Sequence, residues 1–254
     1  MKLGFWRFIP AGLIFCLATA VSAQTPVVAV AANMKGAFEE ILQAFQKQHP
    51  QEIKVVYGGS GNFYRQLLQG APFGLFISAD EEYPRALFKA GLTQAEPRVY
   101  ATGEIVLLAK KSRQIAWDGN PESVRKILLE VKKIALAKPD IAPYGRAAVE
   151  YLKAVDAWDE VKTKIVYADN ISAATVFVTT GAVDLGFSAI SLAKSPELVK
   201  DYVVWPLSNR LYQPIRQSMV LMNQSPAVLA QLYQFIQEPQ AVLILQKYGY
   251  GSVK

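Results

Sequence analysis

A two-lobed α/β protein is predicted by three observations. Strand and helix patterns alternate, the alternation runs through two successive sets, and two long apolar strands fall outside its rhythm. In the first set, residues 26–32 (PVVAVAA) read as a buried strand. Residues 34–48 then repeat apolar side chains at Ala37, Phe38, Ile41, Leu42 and Phe45 with a helical period. A second strand at 53–57 leads through Gly58-Gly59-Ser60-Gly61 into a helix carrying Tyr64, Leu67 and Leu68. A third strand at 74–78 precedes a helix at 82–90. Strands separated by helices imply parallel sheets with right-handed crossovers.

The second set repeats the scheme. A helix is expected at 121–130, a strand at 133–137, a loop at 139–144 and a helix at 145–157. A strand at 164–167, a helix at 172–179 and a strand at 184–188 follow. The long strands, 103–110 (GEIVLLAK) and 216–222 (RQSMVLM), are read as the two crossings between lobes. The amphipathic tail, 227–248, is expected to break near Pro239. The first lobe then takes residues 24–105 plus 210–254, and the second 106–209. A single doubly wound sheet is the alternative.

The N-terminus reads as an export signal: Lys2 and Arg7, an apolar run over residues 8–21, and small residues up to Ala23. Cleavage is expected after Ala23, leaving 231 of the 254 residues. The apolar run is shorter than the roughly 20 residues a bilayer-spanning helix needs. Bulky Ile14 and Phe15 before Cys16 argue against a lipoprotein. Cys16 is the one cysteine of the chain, so the exported form has no disulfide, thiolate ligand or cysteine nucleophile. Loss of Lys2 and Arg7 takes the formal charge from +6 to +4. That balance favours anions without forming a nucleic-acid footprint.

The chemistry is expected where strands turn into helices. Ala32-Asn33, Gly58–Asn62, Ala142–Gly145 and Asn170–Ser172 occupy four such junctions. Each exposes unpaired N–H groups at the positive end of a helix, and glycine lets a ligand approach the backbone. Taken singly, Asn33, Ser60 and Asn62 also suit plain helix caps, Tyr144 a surface or hinge aromatic, and Ile171 a core residue. In α/β folds ligands lie at the carboxyl ends of the strands, which for two lobes means the cleft between them.

Seven segments carry a family resemblance: VAAN (30–33), YGGSGNFYRQL (57–67), GAPFGLFISAD (70–80), KPDIAPYGRAA (138–148), YADNISAA (167–174), VDLGFSA (183–189) and KYGY (247–250). Together they make the exported chain, over essentially its whole length, resemble the periplasmic molybdate-binding proteins of ABC transporters. The GAP…FISAD and IAPYG segments are the most specific. The resemblance implies a type II periplasmic binding protein fold, with a mixed, mainly parallel sheet in each lobe. It implies an oxyanion held in the cleft by neutral donors at Asn33, Ser60, Tyr144 and Ile171, with the Ala32 backbone adjoining. Molybdenum would be held only as molybdate, without direct protein ligands. Some members carry a tyrosine donor where this chain has Ala189; here the Tyr144 hydroxyl is expected to replace it. The resemblance further implies delivery of molybdate or tungstate to a membrane permease by a periplasmic monomer with no cofactor.

Molybdate and tungstate are unprotonated at neutral pH, so a pocket of donors suits them, whereas phosphate keeps a proton and needs an acceptor. Other classes fit less well. Gly58–Asn62 is a partial match to the nucleophile elbow G-x-S-x-G, but Asn62 stands at the last glycine, and His49 is the one histidine available to Ser60. Histidine or cysteine metal sites are excluded by the same count. Asp80, Glu81 and Glu82 read as a solvated helix start. Binding of sulfate, phosphate, phosphonate or ferric iron, and a sensor domain of the same architecture, are the remaining alternatives.

Overall fold

The computed structural model describes residues 25–253 apart from 114, 116, 117 and 119; the segment expected to be an export signal, with Cys16, lies outside the described residues. The chain begins with β1 (Val27–Ala31), a one-turn 3₁₀ helix and α1 (Lys35–Gln46). There follow β2 (Lys54–Gly58), α2 (Ser60–Leu68), β3 (Leu75–Ile77) and α3 (Glu82–Lys89). Two strands come next, β4 (Arg98–Gly103) and β5 (Ile105–Lys110), then α4 (Pro121–Glu130), β6 (Ile134–Ala137), α5 (Pro143–Ala154) and the short α6 (Trp158–Val161). The remainder is β7 (Ile165–Ala168), α7 (Ile171–Thr179), β8 (Leu185–Ala189), α8 (Ile190–Ala193), α9 (Pro196–Asp201), β9 (Tyr202–Pro206), β10 (Ile215–Leu221), α10 (Ala227–Phe235) and α11 (Pro239–Lys247).

Among the described residues the strands form two five-stranded sheets, ordered β2-β1-β3-β10-β4 and β7-β6-β8-β5-β9. Each is built to the same plan. Three parallel strands (β1, β2, β3; β6, β7, β8) are joined by an antiparallel pair, β10 with β4 or β5 with β9. The central parallel strands have both faces covered by helices, so they are apolar throughout rather than alternating: Val28–Ala31 and Ile134–Ala137 are all buried. Two apolar clusters pack the two faces of the first sheet, and a third fills the second lobe. Phe38, Phe45, Phe76 and Phe187 are fully buried; removal of each ring from water stabilises the fold by about 1.5–3 kcal/mol.

The α/β class and the two lobes agree with the sequence reading, but the crossings do not. Residues 103–110 do not form one bridging strand: β4 ends at Gly103 in the first sheet and β5 starts at Ile105 in the second. Glu104 is the crossover, and its carbonyl accepts a bond from Ile190 N at 3.0 Å. Nor does residues 216–222 cross, because β10 lies wholly in the first sheet between β3 and β4; the return path is 207–214. Strands β4 and β9 were not anticipated. The tail breaks between α10 and α11 as expected, and its end is tied down by paired bonds between Gly251 and Thr102 of β4.

Candidate functional site

Four junctions meet in one small cavity between the lobes, of about 10 Å³, lined by Ala31–Asn33, Gly58–Ser60, Ala79, Ala142–Tyr144, Asn170 and Ile171. All five residues expected at the site, Ala32, Asn33, Ser60, Tyr144 and Ile171, are therefore brought together. Each is less than a tenth exposed. The lining contains no charged side chain. Ser60 and Ile171 are the first residues of α2 and α7, and Tyr144 is the second of α5, behind a proline that has no N–H to offer. First-turn N–H groups have no acceptor within their helix, so three helix starts aim donors and positive dipole ends at this space. The Asn170 side chain caps α7 through Ala173 N (2.9 Å), one residue-pair further in than Ile171. The Ser60 hydroxyl oxygen accepts from Ala79 N at 3.0 Å, which leaves its proton to donate elsewhere.

Behind the cavity lies a buried polar network that the sequence did not disclose. Asn33 Nδ2 contacts Gln217 Oε1 (2.9 Å), Tyr250 OH (2.8 Å) and, more distantly, Tyr144 OH (3.4 Å). Gln217 Nε2 donates to Tyr144 OH at 2.9 Å, and Tyr100 OH reaches Gln217 Oε1 at the same distance. Ser191 and Tyr250 both donate to the Asn33 carbonyl at 2.9 Å. Tyr144 is thus not a surface aromatic: the residue is 1% exposed and its hydroxyl reaches across to Gln217 of the opposite lobe. Burial raises the pKa of Tyr144, Tyr100 and Tyr250 above the ordinary phenol range, so all three hydroxyls keep their protons. Gln217 is 0% exposed, but in the sequence it stands between Arg216 and Ser218 in IRQSMVL, so nothing local sets it apart as buried.

The lobes touch closely around this centre. Gly61 N donates to Ile141 O at 3.0 Å, and Tyr83 OH to Asp140 O at 3.2 Å. A side chain at Gly61 would run into the Ile141 backbone (2.8 Å from a Cβ to its carbonyl oxygen), and one at Gly59 into the Asp169 carbonyl (2.9 Å). These glycines allow the lobes to approach. Of the acidic run, Glu82 is the exposed first residue of α3, as expected of a solvated helix start, but Asp80 is not solvated. Asp80 is buried and ion-paired with Arg146 of α5, which also reaches Glu82 (3.4 Å), while Glu81 pairs with Arg216 (2.7 Å). Burial raises the Asp80 carboxyl pKa and the Arg146 charge works against that rise. The serine-hydrolase alternative has no geometry behind it, because His49 stacks on Phe45 (ring centroids 4.3 Å) while the Ser60 oxygen is bonded to Ala79 N. Ala189 is buried at the end of β8, paired with Ile105.

Residues 26–251 match the model of the bacterial extracellular solute-binding proteins. The molybdate-binding protein ModA of Azotobacter vinelandii is 35% identical over 245 residues, covering 95% of this chain and 94% of that protein. The chain belongs to this family of solute-binding proteins. The ModA of Rhodobacter capsulatus is 32% identical, with 94% and 92% of the two chains covered. The solved Azotobacter vinelandii periplasmic molybdate-binding protein superposes with a TM-score of 0.77 at 28% identity, covering 90% of this chain and all of that one. The type II periplasmic binding protein fold is that of the family, and the four-junction cavity is its interlobe cleft.

Proposed function

We propose that this chain captures molybdate in the periplasm and delivers it to the permease of an ABC transporter. The observation that carries the reading is the chemistry of the cleft: three helix starts and neutral hydroxyl and amide groups converge on a small space with no charged side chain in its lining. Such a lining suits an anion that is fully deprotonated and accepts from every side. Each charge-assisted hydrogen bond contributes roughly 1.5–3 kcal/mol net, so a handful suffice for tight binding without a cationic side chain. The molybdate-binding relatives, matched along their length, support the same ligand.

Asn33, Ser60, Tyr144 and Ile171 are proposed as the ligand residues, with the Ala32 backbone beside them. Tungstate, nearly identical in size and charge, is proposed to bind as well. The protein acts without a cofactor, as a monomer, and takes no nucleic acid. The lobes are proposed to move about Glu104 and 207–214, which shifts the expected first boundary from 105 back to Glu104 because Ile105 already pairs in the second sheet, with the anion stabilising the closed form.

Thermal unfolding of the exported form with molybdate, tungstate, sulfate, phosphate and ferric citrate tests this. Ligand at 1,000 times its dissociation constant adds about 4.1 kcal/mol to stability. A large upward shift is expected with the first two anions. A shift with sulfate or phosphate and none with molybdate would overturn the reading.

A further inference from the structure

The network around Asn33 contains two hydrogen-bonding conflicts that share one solution. Asn33 Oδ1 is buried and has no donor, in a chain whose ligand needs donors and not acceptors. Tyr100 has one hydroxyl proton but faces two acceptors, Gln217 Oε1 at 2.9 Å and Ser78 O at 3.1 Å. Half a turn of a carboxamide exchanges its nitrogen and oxygen and moves little else. Turning Asn33 alone would set its oxygen against Gln217 Oε1. Turning both residues resolves every contact. Gln217 Nε2 then donates to Asn33 Oδ1 and to Tyr100 OH, and the Tyr100 proton goes to Ser78 O. Gln217 Oε1 accepts from Tyr144 OH, so in this arrangement Tyr144 serves the anion through its first-turn backbone N–H and not through its hydroxyl. Ser191 keeps the Asn33 carbonyl, which frees the Tyr250 proton for Asn33 Oδ1. What remains without a protein partner is the Asn33 NH₂ group, on a residue that lines the cavity.

We propose that Gln217 is a positioning residue of the oxyanion site: its carboxamide turns together with that of Asn33 and holds the Asn33 NH₂ toward the anion. The proposal rests on the oxyanion reading above. The fold is built for this pairing. The register of β10 against β4 shifts between Gln217 and Ser218, opposite Ala101 and Val99, so Tyr100 is the extra residue of a bulge, and its hydroxyl meets the Gln217 amide. Bulges beside functional sites re-aim side chains in this way. Tyr144 reports the same amide from the opposite lobe, so the donor pattern is completed only when the lobes are closed.

The test combines calorimetry with the side-chain amide resonances of Asn33. In the unaltered protein, molybdate should shift the Asn33 NH₂ resonances and bind with the same affinity at pH 6 and pH 8. In Gln217→Glu, an ionised carboxylate accepts from Asn33 Nδ2 and locks the amide with its oxygen outward. Molybdate affinity should fall at least about 100-fold at pH 8 and recover toward pH 6 as the carboxyl takes up the proton that restores a donor. In Gln217→Leu the loss should be about tenfold and independent of pH. Tight binding by the unaltered protein with unmoved Asn33 resonances would overturn this proposal alone, whether or not the variants fold. So would a Gln217→Glu affinity within twofold of the parent at pH 8. No molybdate binding by the unaltered protein would overturn the functional reading, and this proposal with it.

Discussion

Two clusters bridge the lobes, and they are built from opposite materials. At the cavity, Asn33, Gln217, Tyr144 and Tyr250 join the lobes through neutral groups that are all less than a tenth exposed. Farther out, Asp80, Glu81, Glu82, Arg146 and Arg216 form ion pairs whose arginines remain about a third or more exposed. The difference follows from what each must tolerate. A carboxylate beside a bound dianion would repel it, and a buried arginine would attract any anion regardless of shape. Neutral donors avoid both and leave selection to number and direction. The charged pairs sit where solvent lowers their desolvation cost, so they can set lobe orientation without entering the site. Ligand affinity should therefore depend on the neutral cluster, and the stability of the lobe contact on the charged one.

The largest effect should come from the neutral side. The double variant Asn33→Ala, Ser60→Ala removes two donors, each contributing roughly 1.5–3 kcal/mol, and should weaken molybdate binding at least about 100-fold by calorimetry. Its far-UV circular dichroism should be unchanged. Unaltered affinity would place the site elsewhere. A smaller loss, about tenfold or more, is expected for Gly61→Ala. The added methyl meets the Ile141 backbone of the other lobe at 2.8 Å when the lobes close, and the flexible end of Tyr83 in its own lobe at 2.7 Å, so closure carries the larger penalty because the backbone cannot turn aside. Small-angle scattering should show this variant remaining extended at molybdate concentrations that compact the parent. Compaction equal to the parent would mean that the contact yields.

Much of this contrast was legible in the chain, and what was not has physical causes. The parallel strands and their helices declare themselves through local periodicity, and the junction glycines through turn chemistry. The junctions mark where Asn33, Ser60, Tyr144 and Ile171 lie, but their choice as ligand positions rests on the family resemblance, since each alone also suits a cap, a hinge aromatic or a core residue. Strand β4 (RVYATG) and strand β9 (YVVWP) sit at sheet edges outside the strand–helix alternation, each paired antiparallel with a long strand, so the βαβ rhythm does not announce them. Gln217 and Tyr250 act through partners 184 and 217 residues away from Asn33, so no local pattern marks them. The acidic run misleads for a similar reason. Asp80 reads as solvated until α5 of the other lobe delivers Arg146, 66 residues later.

The charged cluster yields the smaller, pH-dependent effects. Arg146→Met leaves Asp80 buried without its cation, and the cost at pH 8 should be about 1–3 kcal/mol, below that of a fully buried pair because Arg146 is 31% exposed. The sign follows from the direction of the Asp80 shift. A carboxyl whose pKa is raised in the native state binds its proton more tightly there than in the unfolded chain. Its favourable contribution is complete below the unfolded pKa, about 3.9, and is lost as pH rises through the native one. Without Arg146 that native pKa rises further, so the variant should lose more stability at pH 8 than at pH 5, and Asp80→Asn in the same background should remove the difference. A loss independent of pH would show that Asp80 does not carry it. Lys247 and Glu40 supply the contrast at the weak end. Their pair (2.7 Å) joins two elements of one lobe with Lys247 64% exposed, so solvent screens it and Lys247→Ala should leave Tm within about 1 °C of the parent. A drop comparable to that of Arg146→Met would mean that ion pairs stabilise this protein by contact alone, and that the burial of Asp80 between the lobes confers nothing special.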